Sequence, residues 1–235
     1  MVPPDALLRA AVANNAAWCD AVCRSHGFPG EFTARTWLSP RHRLPFYPNA
    51  ITLGPDVTAA EATASQDPSR PFAIKDSFAR LDLAPHGLTL LFDATWIAVP
   101  VPAGGDEPSW DVVTSPGDLV RWEAAWAGGG EVIGLFQRTL LDDPDCAVLA
   151  CRQDGTQVGG AIAFTAGGVT GISNVFKSGI ADGPLWAGAV RTIARVRPGL
   201  PIVGYERGED LAAAQWAGFT ILGSLRVWAR GSAVP

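Results

Sequence analysis

QVGGAIAFTAGGVTGISNVF (157–176) is the stretch whose reading decides the fold. QVGGAIAF (157–164) and VTGISNVF (169–176) are apolar runs separated by a Gly167-Gly168 turn signal, so the spacing predicts two strands joined by a tight hairpin. A glycine-bearing loop, KSGIADGP (177–184), follows. In LWAGAVRTIARV (185–196), Leu185, Ala189, Ile193 and Val196 recur at helical spacing and Arg191 and Arg195 take the other side. RPGLP (197–201) ends that amphipathic helix. IVGY (202–205) reads as a short strand, ERGED (206–210) as an acidic turn, LAAAQWAGF (211–219) as a short helix stopped at Gly218, and TILGSLRVWAR (220–230) as a last strand.

Working outward, CAVLACRQDGTQVGGAIAF (146–164) reads as a hairpin turned at Asp154-Gly155. DVVTSPGDLVRWEAAW (111–126) predicts a strand, a helix cap at Ser115 with Pro116 at the first helical position and Asp118 in the first turn, and a helix carrying Leu119, Trp122, Ala125 and Trp126. Residues 136–141 add a short helix. PVPAGGDEP (100–108) is the clearest break in composition and divides the chain into 1–104 and 105–235. The front part opens with a helix over 6–25, capped by Asp5, with Leu8, Val12, Ala16, Cys19 and Cys23 as its buried stripe. FTARTWL (32–38), NAITLGP (49–55), FAIKDSF (72–78) and LTLLFDATWIAV (88–99) read as strands punctuated by prolines, and 57–70 as a loop or short exposed helix.

The order strand, strand, glycine loop, helix, strand, helix, strand resembles the second half of the GNAT acyltransferase fold. The resemblance is carried by the strand, loop and helix start over 173–186, by IVGY, and by the helix closing in Ala217-Gly218-Phe219. Extended back to Trp110 it covers about half the chain. It implies an α/β fold of layered type, a mixed and mainly antiparallel central sheet flanked by helices. It implies an acyl-CoA-dependent N-acyltransferase, with acetyl-CoA or another acyl-CoA as co-substrate and no metal, acting on the amine of a small molecule or peptide. The acyl-CoA-binding part is then 105–235, and 1–104 is a helix plus a strand-rich lobe. LTLLFDATWIAV precedes the composition break much as TILGSLRVWAR precedes the C-terminus, which suggests a divergent, partial copy of the same plan.

In the resembled family the strand before the loop splays from the next one, so backbone groups bond the pantetheine arm and the thioester carbonyl. Here that duty falls to Ser173, Asn174, Val175 and Phe176. Unpaired amides at a helix start favour anions, which assigns the pyrophosphate to Lys177, Ser178, Gly179, Ala181 and Gly183. The loop departs from the family's usual spacing and carries Asp182. The family's tyrosine, which protonates the leaving thiolate, is replaced by Ala214.

Acylating an amine needs a base at the splay. Glu206, directly after IVGY, is the candidate base and Tyr205 the candidate acid; the alternative is that ERGED is a turn of solvated charges and Tyr205 covers the sheet. Asp93 interrupts an apolar strand, so it is a candidate for binding a substrate ammonium beside Trp96 as an aromatic wall, or else faces solvent or pairs with Arg80 or Arg121. The alternative to an enzyme is a non-catalytic GNAT-like module that binds acyl-CoA or another protein.

Composition removes other classes. The 235 residues carry a net charge of −5 with 48% hydrophobic and 17% charged residues, which reads as globular and lacks the basic footprint of a nucleic-acid binder. No run suits a membrane span and no secretory signal is evident, so a cytoplasmic setting is expected. The partners expected are the amine acceptor and, at most, a second copy in a homodimer. Cys19, Cys23 and His26 share one helix face, a spacing open to a metal but commoner for buried structural cysteines. Cys146 and Cys151 point to opposite faces of a strand, so all four cysteines read as thiols. His26, His42 and His86 lie far from any serine elbow, and no phosphate-loop or dinucleotide fingerprint is present.

Overall fold

The computed structural model describes residues 4–100, 110–178 and 182–231, with the side chains of 4 and 182–184 left aside. Among them the helices are α1 (Pro4–Ser25), α2 (Ala59–Thr63), α3 (Pro116–Trp126), α4 (Asp182–Val196) and α5 (Gly208–Trp216). The strands are β1 (Glu31–Phe32), β2 (Thr36–Leu38), β3 (Ala50–Thr52), β4 (Phe72–Asp76), β5 (Thr89–Val99), β6 (Asp111–Val112), β7 (Cys146–Gln153), β8 (Thr156–Ala166), β9 (Val169–Lys177), β10 (Ile202–Glu206) and β11 (Thr220–Arg230). The fold is α/β, with mainly antiparallel pairing and helices flanking the strands. Two compact units are formed, Met1–Trp96 with Leu222–Pro235, and Ile97–Ile221.

In the first unit, β1, β2 and β3 pair antiparallel in chain order, β3 runs parallel to β4, and β4 pairs antiparallel with β11 through Phe72↔Arg230 to Asp76↔Arg226. The predicted single strand over 32–38 is broken between β1 and β2. Thr33 is the reason: its hydroxyl accepts from the amides of Arg35 and Thr36, which favours a turn over extended backbone. On α1, Val12, Ala16, Cys19 and Cys23 are buried as expected. The helix starts at Pro4, so Asp5 lies in its first turn instead of capping it. Buried Asp20 accepts from Trp37 Nε1 at 3.0 Å and from the Gly30 amide at 2.8 Å, tying α1 to the chain that follows. The apolar core joins Phe72, Ile74, Leu81, Leu83, Leu88 and Trp228. Each such buried side chain stabilises the fold by about 1.5–3 kcal/mol.

In the second unit, β6 to β9 pair antiparallel in chain order and β10 joins β9 in parallel. Both hairpin turns read from the sequence are present. Asp154 and Gly155 have φ of 51° and 78°, Gly167 and Gly168 of 64° and 77°, the left-handed pairs that match the twist of two-residue hairpins. Ser115 caps α3 by accepting from the Asp118 amide at 3.1 Å. Adjacent glycines in β8 show where the two faces go. A Cβ on Gly159 would fall 2.5 Å from Leu185 of α4, and one on Gly160 would fall 2.4 Å from Trp122 Nε1 of α3. Successive residues of a strand face opposite ways, so α3 and α4 cover opposite faces of this sheet. The α4 face buries Leu149, Cys151, Ala161, Ile172, Leu185, Trp186 and Phe219 together.

Candidate active site

The chemistry-bearing residues gather where β9 and β10 part. Their parallel pairing covers Thr170↔Ile202 and Gly171↔Val203. Both strands run on, β9 to Lys177 and β10 to Glu206. Gly204 belongs at the fork, because a Cβ there would lie 2.9 Å from the Ile172 carbonyl oxygen. A side chain at 204 would force the strands apart one residue early.

Just past the fork, β9 is bent by a bulge. Its register against β8 shifts between Ile162↔Ser173 and Gly160↔Phe176, so two residues of β9, Asn174 and Val175, stand opposite the single Ala161. Asn174 adopts φ 52°, a left-handed conformation that asparagine tolerates better than most residues and that marks the extra residue of a bulge. Such a bulge re-aims backbone groups, and Ser173, Asn174, Val175 and Phe176 are all half-buried rather than sealed. The bulge also resets the alternation of side chains. Ile172 and Val175 both pack on the α4 face, and Phe176 turns to the α3 face, where its ring meets Trp122 at 5.1 Å.

At the end of β10, Glu206 is half-buried, and burial pushes its carboxyl up to about 8. The Asp210 carboxylate on the first turn of α5 adds to the rise and Arg207 offsets part of it. A carboxyl poised near neutrality is what a proton acceptor working near pH 7 to 8 needs. Tyr205 is half-buried and precedes Glu206, so strand alternation turns it to the opposite face. ERGED is thus not a free turn: Glu206 ends the strand, and Glu209 and Asp210 lie in the first turn of α5.

Lys177 and Ser178 are exposed at the end of β9, with the Ser178 amide donating to the Val158 carbonyl at 2.8 Å. Gly179 and Ala181 lie outside the described residues. Gly183, read from the sequence as loop, falls inside α4, which begins at Asp182. Trp186, 1% exposed and packed against Phe219, has an indole N–H with no acceptor among the described residues. Ala214 is buried in the core.

The substrate-binding pair read from the sequence does not survive as a pair. Asp93 is a surface residue of the first unit, its side chain 65% exposed and accepting from Arg226 Nε at 3.1 Å, so its partner is neither Arg80 nor Arg121. Trp96 is 1% exposed and its Nε1 donates to the Ser77 carbonyl at 2.8 Å. A ring so enclosed is core and presents no wall to a ligand. All four cysteines are buried free thiols, with Cys151 on the α4 face of β7. Among the described residues no group of three or more His, Cys, Asp or Glu is placed to hold a metal ion, and no helix is long and apolar enough to cross a membrane.

The parting of β9 from β10 is what the resemblance implies for this stretch, whereas the bulge was not read from the sequence. Their signals were Asn174 inside an apolar strand and the glycines 159, 160 and 204, which mark close approach of neighbours.

No family model matches the sequence, and no curated protein matches it. Solved structures do. A GCN5-related N-acetyltransferase from Kribbella flavida superposes with a TM-score of 0.65 at 20% identity, covering 94% of this chain and 96% of its own. A putative acetyltransferase of the GNAT family from Novosphingobium aromaticivorans gives 0.59 at 13% identity over 93% and 97%. A GCN5-related N-acetyltransferase-like protein from Streptococcus suis gives 0.55 at 14% identity over 96% and 99%. The likeness runs nearly the full length of each partner, and the chain has the fold of the GNAT N-acetyltransferases.

Proposed function

We propose that this protein transfers an acyl group from acyl-CoA to the amine of a small molecule or peptide, at the fork of β9 and β10. The observation that carries the reading is the coincidence, in one place, of a bulged strand that runs on beyond its parallel neighbour and a buried-end carboxyl held near 8. The half-buried run from Ser173 to Phe176 suits a pantetheine arm laid along the strand, with Lys177 and Ser178 toward the phosphates. Amides re-aimed by the bulge at Asn174 and Val175 donate to the thioester oxygen as negative charge develops on it, and such fixed donors lower the barrier most when water is excluded.

Glu206, once deprotonated, takes a proton from the acceptor ammonium, directly or through one water. The freed amine nitrogen attacks the thioester carbonyl carbon, the C–N bond forms, the C–S bond breaks with its electron pair left on sulfur, and the second proton shed by the nitrogen passes to the thiolate or to solvent. A thiol ionises near 8.5, so the thiolate leaves without an obligatory acid. That removes the demand on Tyr205, which faces the other way, and accounts for a site that works with Ala214 in place of a tyrosine. Tyr205→Phe is expected to keep turnover within about ten-fold, since it removes at most an assisting proton donor.

Calorimetry with acetyl-CoA, followed by thiol release across a panel of amines between pH 6 and 9, tests the reading. Micromolar binding with thiol release that rises through pH 8 supports it. Binding without thiol release for any amine supports the non-catalytic module instead, and no binding ends both.

A further inference from the structure

Two stretches of the chain follow one plan. In the later stretch, β9 runs parallel to β10, α4 lies between them in sequence, β10 ends on the acid Glu206, α5 follows, and the eleven-residue β11 closes the series. In the first, β3 runs parallel to β4, α2 lies between them, β4 ends on the acid Asp76, a short 3-10 turn over Ala84–His86 follows, and the eleven-residue β5 closes the series. β4 and β10 are both five residues long. β5 and β11 both begin on threonine and both are largely exposed over their first five residues and mostly buried beyond.

We infer that residues 50–99 are a closed copy of the site-bearing plan, so that the chain binds one acyl-CoA, at the β9–β10 fork alone. The count of one rests on the acyl-CoA reading above; the closure stands on its own observations.

The fork itself is shut. The parallel pairing of β3 and β4 ends at Ile51↔Lys75, and just beyond it the Ser77 amide donates to Thr52 Oγ1 at 2.8 Å. The acid is spent as well. Asp76 is 1% exposed, with one carboxylate oxygen accepting from the Leu81 amide at 2.8 Å and the other from the Phe78 amide at 3.4 Å. Finally, the helix start is taken. α2 is five residues long against fifteen for α4. Glu61 Oε2 accepts from the Thr58 amide at 2.8 Å, the Glu61 amide donates to Thr58 Oγ1, and Arg35 Nε donates to Glu61 Oε1 at 2.7 Å while its guanidinium also reaches the Asp56 carboxylate. An incoming phosphate meets two carboxylates there and amides that already have a partner.

Native mass spectrometry with saturating acetyl-CoA, beside calorimetry, tests the count. One equivalent per chain is expected, with Kd unchanged within about two-fold in Arg35→Ala/Glu61→Ala and raised at least about ten-fold in Asn174→Val, whose branched side chain opposes the left-handed bulge. Two equivalents, or one that disappears in the Arg35→Ala/Glu61→Ala chain and persists in Asn174→Val, overturn the inference. Should no acetyl-CoA bind, the acyltransfer reading fails, and the closure is judged by hydrogen exchange. Amides of Ser77 and Leu81 that exchange as slowly as those within β4 uphold it, and amides that exchange like exposed loop residues overturn it.

Discussion

The β3–β4 pair of the first unit and the β9–β10 pair of the second start from the same arrangement and spend their polar groups differently. In the first, the terminal acid Asp76 accepts from backbone amides and the strand ends are bridged by Ser77 and Thr52. In the second, β9 is bulged at Asn174, the pairing with β10 stops at Gly171, and among the described residues it is Arg207 that offsets part of the effect of burial on Glu206. Burial raises both carboxyls, and at Asp76 three backbone donors offset part of that rise. A buried acid with a full set of partners holds structure, and one held short of partners is available for proton transfer.

The largest effect expected from this difference is on turnover. Glu206→Gln should lower it about 100-fold or more at pH 8, the usual span for loss of a general base, and should abolish the rise in rate through pH 8. The same variant has a stability signature of definite sign. A carboxyl whose folded value lies above its unfolded one favours folding when protonated, so wild-type stability is retained at low pH and falls as pH climbs from about 4.5 through 8. Glu206→Gln should therefore be the more stable chain above pH 8, by on the order of a few kcal/mol in urea melts, with the gap closing toward pH 5. A gap that widens toward acid pH contradicts the assignment.

Asp76→Ala should behave in the opposite way, costing about 2–4 kcal/mol of stability through the orphaned amides of Leu81 and Phe78 while the rate profile keeps its inflection near 8. If the inflection moves in Asp76→Ala and stays in Glu206→Gln, the roles of the two acids are reversed. Gly160→Ala should cost about 1–3 kcal/mol in thermal melts, because its methyl group collides with Trp122 and Phe176. Asp93→Ala is the smallest, under about 0.5 kcal/mol and without effect on turnover, as befits an exposed ion pair with Arg226.

Much of the second unit was legible from the sequence because its signals are local. Paired glycines or Asp-Gly set both hairpins, Ser115-Pro116 set the start of α3, and 3.6-type spacing set the body of α4. Of the candidate site, the sequence marked a segment, Ser173 to Ser178, and one acid, Glu206, which the proposal above takes up. What escaped was whatever depends on residues far apart in the chain. Asp93 in an apolar run looked costly because Arg226, its partner across 133 positions, cannot be seen from position 93. Trp96 looked available because burial depends on everything packed around it. Likewise, the break at 100–108 is a property of composition, and composition carries no sign that the chain beyond Leu222 returns to the first unit.

That return has a consequence for synthesis. β4 acquires its antiparallel neighbour only when Arg226 to Arg230 have been made. Until then a translating ribosome carries a nascent chain whose apolar β4, with Phe72 and Ile74, presents an open edge of the kind that invites intermolecular pairing. A stop codon shortly before β11 would therefore release an aggregation-prone product rather than a smaller folded one.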